Sequence, residues 1–240
     1  MKLTEIVLMD FQIVVVDGLR IGGGGGELEI GGSVDANLGA IRDPITEEPY
    51  LPGSSIKGKL RSLLEKVNGT YRMVESPPKS GKYQRKEQSE SPCECGEAYC
   101  TVCTIFGAHK NTKSRCAPTR ITVRDAHLAA GSEERARLLE YKTENTVNRT
   151  SGAAKDPRTG ERIPPGARFD ARIILRTYDA DADKSATYLK AIQQGLGLLQ
   201  DADSLGSSGS RGYGTIRIDK ARITRNPVSG FFIPFEESAK

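Results

Sequence analysis

Four cysteines packed into CECGEAYCTVC carry the sharpest chemical signal in this chain. Cys93, Cys95, Cys100 and Cys103 follow the spacing C-x-C-x4-C-x2-C. Four thiolates that close in sequence can surround one zinc ion tetrahedrally, and the C-x2-C half has the usual reach for a single metal. A site closed by four thiolates keeps no position for water, so its expected role is structural. Cys116 and His109 are spare ligands. The plain alternative is a chance grouping of free thiols.

Two glycine- and serine-rich stretches suit phosphate. GSSGSRGYG, residues 206–214, offers backbone N–H groups at Gly209 and Gly212, a guanidinium at Arg211 and a ring at Tyr213 on which a base could stack. PGSSIKGKLR opens a helix. Gly53, Ser54 and Ser55 bring unpaired N–H groups and a positive dipole end there, with Lys57, Lys59 and Arg61 just behind. Neither stretch is a Walker loop, because G-x4-G-K-[ST] is absent, and neither fits the dinucleotide pattern. The third candidate is Asp35, a bare carboxylate in a glycine-bordered loop. Such an aspartate is ordinarily a turn residue. Beside a phosphate it could act as general base or hold a divalent ion.

These groups need a scaffold, and the hydrophobic pattern supplies one. TEIVLMDFQIVVVD, residues 4–17, reads as a long strand and is followed by five consecutive glycines at 22–26. Ile56, Leu60, Leu63, Leu64 and Val67 recur at helical spacing, with a serine cap before them and Gly69 after. Residues 70–116 lack periodicity and read as an insertion. Strands are expected at 119–130, 171–179 and 215–225, and a second helix at 183–200. The polar stretch 141–169 reads as a protruding hairpin with its turn signals at DPRTG. The order gives an α+β fold, a ferredoxin-like, RRM-like βαββαβ core with its helices on one face.

With 240 residues, 37% hydrophobic and 28% charged, the chain has the balance of an ordinary globular protein and suits one elaborated domain or two small ones. Its formal charge of +4 is uneven. Cations gather at 57–61, 79–86, 110–124 and 217–225, and acids at 179–183, which fits a polyanion partner or merely solvated faces. No apolar run is long enough for a membrane span, and the N-terminal stretch lacks a signal-peptide pattern. The expectation is a cytoplasmic, reducing location and no membrane partner, where five cysteines point to metal rather than disulfides.

The loops taken together resemble a known family. LRIGGGG, then Asp35, IRDPITEEPYLPGSSIKGKLRSLL, CTVCTIFG, YKTENTVNR and LGSSGSRGYGTIRI resemble the RAMP superfamily of CRISPR effector proteins. Within it they are most similar to the repeated backbone subunit of the type III-A (Csm) complex. The resemblance covers nearly the whole chain. It implies one RRM-like domain over 1–240 with a zinc-bearing insertion at 70–116 and a thumb hairpin at 141–167. It also implies copies stacked as a filament on a guide (CRISPR) RNA, each thumb displacing a base pair of the guide–target duplex, among other subunits of a type III effector. The cutting aspartate of the family falls on Asp35. Arg20, Gly22, Gly23, Arg42, Asn145 and Arg149 fall on RNA-contacting positions. This chain has Arg20 where the family often carries a histidine, and its loop from Asp35 to Arg42 is longer than usual.

The implied activity is endonucleolytic cleavage of single-stranded target RNA at regular intervals, in antiviral defence, leaving a 2′,3′-cyclic phosphate and needing a divalent cation such as Mg²⁺. RNA carries its own nucleophile, the 2′-OH, so positioning supplies most of the chemistry and a carboxylate assists. The rival reading is a non-catalytic architectural RNA-binding subunit, or the type III-B counterpart. A standalone guide-processing nuclease is weaker, because such enzymes usually place a histidine at the site and only His109 and His127 exist.

Overall fold

In the computed structural model the described residues are 1–22, 40–75, 88–111, 113–132 and 139–231. Asp35, Gly23 and the basic run 79–86 therefore lie outside them. The central sheet is built from β1 (Leu3–Val15), β4 (Ile121–Val123), β5 (His127–Leu128), β8 (Arg168–Tyr178) and β9 (Ile216–Pro227). Its order is β4-β8-β1-β9, with β5 also paired to β8, and every pairing is antiparallel. Two helices, α1 (Gly53–Asn68) and α3 (Ser185–Asp201), follow β1 and β8, so the core runs β1-α1-β4-β8-α3-β9. That is the expected split βαβ order, with antiparallel strands throughout.

Alternation along the strands decides which face is covered. Val7, Met9, Phe11 and Ile13 of β1 are buried and lie opposite Leu175, Ile173, Ala171 and Phe169 of β8. Onto this face pack Ile56, Leu60 and Leu64 of α1 and Leu189, Ile192 and Leu199 of α3. Each such side chain contributes roughly 1.5–3 kcal/mol by leaving water. The helices approach closely at Gly195, where an added Cβ would sit 3.3 Å from Leu60 Cδ2. The opposite face is polar: Asp10 lies between Arg172 and Arg222, at 2.5 and 3.7 Å.

The insertion holds a two-stranded ribbon, β2 (Arg72–Glu75) with β3 (Gln88–Ser91), and a short helix α2 (Thr101–Phe106). Among its described residues Val102, Ile105 and Phe106 join the main core. The hairpin β6 (Glu140–Val147) and β7 (Ala154–Arg162) forms as expected, but its turn lies elsewhere. Asn148 Oδ1 accepts from the N–H groups of Thr150 and Ser151, while the expected turn DPRTG lies within β7. An Asx turn at Asn148 outcompetes the Asp-Pro signal. The expected strand at 119–130 is broken into β4 and β5. Among the described residues no helix is long and apolar enough to cross a membrane.

Candidate nucleic-acid interface and cysteine cluster

One end of the sheet, where β1 finishes and β8 and β9 begin, gathers most of the expected functional residues. Leu19 and Ile163 exchange two backbone hydrogen bonds, at 3.0 and 2.8 Å, tying the strand exit to the foot of β7. Gly22 bridges to Ala40, and Ile41 N donates to Ile21 O at 3.0 Å. The two ends of the segment that contains Asp35 are thus held side by side. Ser207 N donates to Arg20 O at 2.9 Å, which docks the 206–214 loop on the same junction. Gly206 and Gly214 have φ of 84° and 78°, and a Cβ there would lie 2.3 Å from Arg20 O and 2.0 Å from Leu205 O. These glycines are required for backbone approach within the protein.

The loop's side chains are divided between solvent and the hairpin. Arg211 is exposed, pairs with Glu144 at 3.1 Å and lines a groove of about 710 Å³ with Lys142, Asn145, Arg149 and Arg158. Tyr213 is only 3% exposed, and its ring lies 4.3 Å from Lys142 Nζ and 5.0 Å from the Arg162 guanidinium. Burial, with the Glu144 carboxylate next, pushes its phenol above the usual range. With its ring buried and two cations over it, the geometry supports a pin between loop and hairpin in place of the expected base platform. Gly209 and Gly212 bound a short 3₁₀ turn at the loop tip. Arg20 is half-buried, and its Nε is buried without a hydrogen-bond partner among the described residues.

Glu161, which sequence reasoning missed, joins these parts. Its carboxylate accepts from Ala40 N at 3.0 Å, Arg42 Nη2 at 2.6 Å and the Tyr141 hydroxyl at 3.3 Å, with its side chain only 8% exposed. The expected RNA contact Arg42 is therefore ion-paired, though partly accessible.

The start of α1 is capped at long range. Pro52 is the N-cap and neither serine caps it, contrary to the sequence pattern; instead Asp125 Oδ1 accepts from Gly53 N at 2.7 Å. Gly53 is needed for packing, since a Cβ would lie 2.3 Å from Val123 O. Ser54 is exposed, Ser55 and Lys57 are half-buried, and burial followed by nearby Arg61 lowers the Lys57 pKa. Lys59 pairs with Asp203 at 2.8 Å. Arg61 donates to Glu65 at 2.8 Å and to Cys93 O at 2.9 Å, which latches α1 to the cysteine segment. Asp125 and Asp203 have no local sequence signal, because both partners lie far along the chain.

The sulfurs of Cys93, Cys95, Cys100 and Cys103 all lie within 4.8 Å of one another. Pairs at 3.5 and 3.6 Å approach the roughly 3.8 Å edge of a tetrahedron with about 2.3 Å metal–sulfur bonds. The four cysteines could bind a metal ion. Burial raises the Cys100 thiol to about 11 and pushes Cys103 further up, so a cation is what would draw them to thiolates. Cys116 Sγ contacts Glu97 O and Thr104 instead, outside the cluster.

The RAMP superfamily model matches residues 12–217. The chain belongs to the RAMP superfamily. Among its RAMP relatives, the CRISPR system Cms endoribonuclease Csm3 of Methanothermobacter thermautotrophicus is 37% identical over 246 residues, 95% of this chain and 89% of the relative. Its counterparts from Methanocaldococcus jannaschii and Streptococcus thermophilus are 36% and 34% identical, covering 92% and 89% of this chain and 82% and 87% of theirs. A chain of the Csm3-Csm4 subcomplex of a type III-A CRISPR-Cas interference complex matches with a TM-score of 0.53 at 22% identity, over 95% of this chain and 83% of that one. A chain of the type III-B Cmr-beta bound to cognate target RNA matches at TM-score 0.54 and 18% identity, over 91% and 61%. Both solved structures support the fold of the RAMP chain.

Proposed function

We propose that this RAMP protein is the guide-RNA-binding backbone subunit of a type III-A CRISPR effector and cuts bound target RNA with Asp35. The observation that carries the reading is the convergence at one sheet end. The 206–214 loop, the foot of the β6–β7 hairpin and the described residues at both ends of the Asp35 segment meet there, and Lys59 ties α1 to Asp203 just before the loop, in a chain whose nearly full-length relatives are named endoribonucleases. In this reading Lys57 and the exposed α1 start hold the guide backbone. The hairpin is a thumb whose Asn145, Arg149 and Arg211 groove contacts RNA and splays a target nucleotide. Copies of the chain, with other effector subunits, repeat the arrangement along the guide.

Cleavage then needs little covalent machinery. A splayed nucleotide can place its 2′-OH in line with the leaving 5′-oxygen, and positioning of this kind supplies several kcal/mol. Asp35 takes up the 2′-OH proton as a general base while the 2′-oxygen bonds to phosphorus and the P–O5′ bond breaks, the leaving 5′-oxygen taking a proton from water; carboxylates as a class are weak bases at neutral pH, so modest rates are expected. A divalent cation such as Mg²⁺ beside Asp35 would supply charge neutralisation at the phosphate. Cys93, Cys95, Cys100 and Cys103 would hold a structural zinc that closes the 70–116 insertion.

The test is Asp35→Ala in the assembled complex. Target binding should stay within about twofold while cleavage falls by roughly 10² or more, the scale of a lost general base. A mutant complex that cuts as fast as wild type reduces the subunit to architecture.

A further inference from the structure

We propose that Glu161 is a positioning residue that locks the β6–β7 hairpin to the segment carrying Asp35. A strand engaged by the hairpin and the cutting carboxylate are then kept in one register. The inference rests on the assignment of cleavage to Asp35 and goes beyond it, because it gives Glu161 a part in alignment and none in the bond changes.

The geometry around this one carboxylate is specific. Glu161 lies near the end of β7, two residues before Ile163, which bonds twice to the exit of β1. Across the hairpin it pairs in register with Tyr141 of β6, whose hydroxyl it also receives. Its other donors are Ala40 N and Arg42 Nη2. Ala40 to Arg42 are the first described residues after the 23–39 segment, and Ala40 is bridged to Gly22 before it. A single buried group therefore gathers both hairpin strands and the exit of that segment. Satisfying the Ala40 N–H alone would need only one neutral acceptor. Here Ala40 N and Arg42 Nη2 are held by different oxygens, Oε2 and Oε1, and a carboxamide in the same place would turn an NH2 donor toward one of them.

Glu161→Gln preserves size but replaces one acceptor oxygen by a donor. In the assembled complex at saturating target, single-turnover cleavage should slow by about tenfold, the cost of an ångström-scale misplacement. Target affinity and the fraction of complexes that cut should stay within about twofold, and cuts should spread to neighbouring phosphates. If this variant does not assemble, Arg42→Gln removes one handle from a partly exposed side chain and should slow cleavage in the same way. The double variant should be no slower than Glu161→Gln alone. Wild-type rate and cut position in both variants would overturn the proposal, as would a loss confined to the fraction that cuts, which marks mere misfolding. Asp35→Ala measured alongside separates the failures. Cleavage by that variant defeats the assignment to Asp35. Its silence, with Glu161→Gln cutting normally, defeats only the coupling.

Discussion

At the residue scale the strongest commitment is an ion pair far from the proposed RNA site. Arg120 and Asp181 side chains are 4% and 3% exposed and meet in a bidentate contact at 2.9 and 3.0 Å. Arg120 also donates to the carbonyls of Cys116 and Pro118, and Asp181 accepts from Tyr178 N at 3.1 Å. Every charge-bearing atom is satisfied, so removing one partner strands the other in the core. Asp181→Ala should destabilise the fold by about 3–5 kcal/mol. The matched apolar pair, Arg120→Met with Asp181→Leu, should cost less than the single change; chemical denaturation midpoints decide between them. The sequence shows Asp181 only as one of an acidic group at 179–183, and charge composition cannot say which member is buried. Tyr213 has the opposite history: its type and spacing mark it as a base platform, and Lys142 and Arg162, supplied from the hairpin, take that surface.

At the element scale α1 acts as a beam with a different job at each end. Its antiparallel packing on α3 puts its first turns beside Asp203, near the proposed RNA site, and Arg61 and Glu65 farther along grip the cysteine segment. Cys93 N donates to the buried Glu65 at 2.9 Å, so the knuckle is fastened to the helix by its backbone. Periodicity made α1, α3, β1, β8 and β9 legible, since each has a long run with one buried face. The cap from Asp125 and the break of the 119–130 strand into β4 and β5 were not legible, because they depend on contacts made only after the sheet closes. Removing a bound metal should loosen the knuckle while leaving the sheet intact. An ion held at a thousand times its dissociation constant adds about 4 kcal/mol, or roughly 10 °C in a chain of this size. Chelation should therefore lower the melting temperature by that order and expose residues 88–116 to protease, with zinc restoring both. Purified protein with no metal and no response to chelator would remove the metal from the account.

At the scale of the whole molecule, a formal charge of +4 says little about how RNA is held. What matters is which of the cations proposed to face RNA are already neutralised. Lys59 is paired with Asp203, Arg42 with Glu161, Arg162 with Glu140, and Arg61 with Glu65. Lys57 has no ion-pair partner among the described residues, and its pKa is lowered by burial and by Arg61, so an arriving phosphate relieves an uncompensated charge. The sequence treats Lys57, Lys59 and Arg61 as equivalent basic residues; the structure separates them. For single-stranded RNA each neutralised phosphate contributes about 0.7 to the slope of log affinity against log salt. Lys57→Ala should flatten that slope by about this amount per copy and weaken binding uniformly across sequences. Lys59→Ala should change it less, because its charge is offset before RNA arrives, and Arg61→Ala should lower the melting temperature more than the slope. Salt titrations of the three variants, side by side, test the assignment. Equal slopes for Lys57→Ala and wild type would move the guide backbone away from the α1 start and leave the hairpin groove, with Arg149, Arg158 and Arg211, as its main seat.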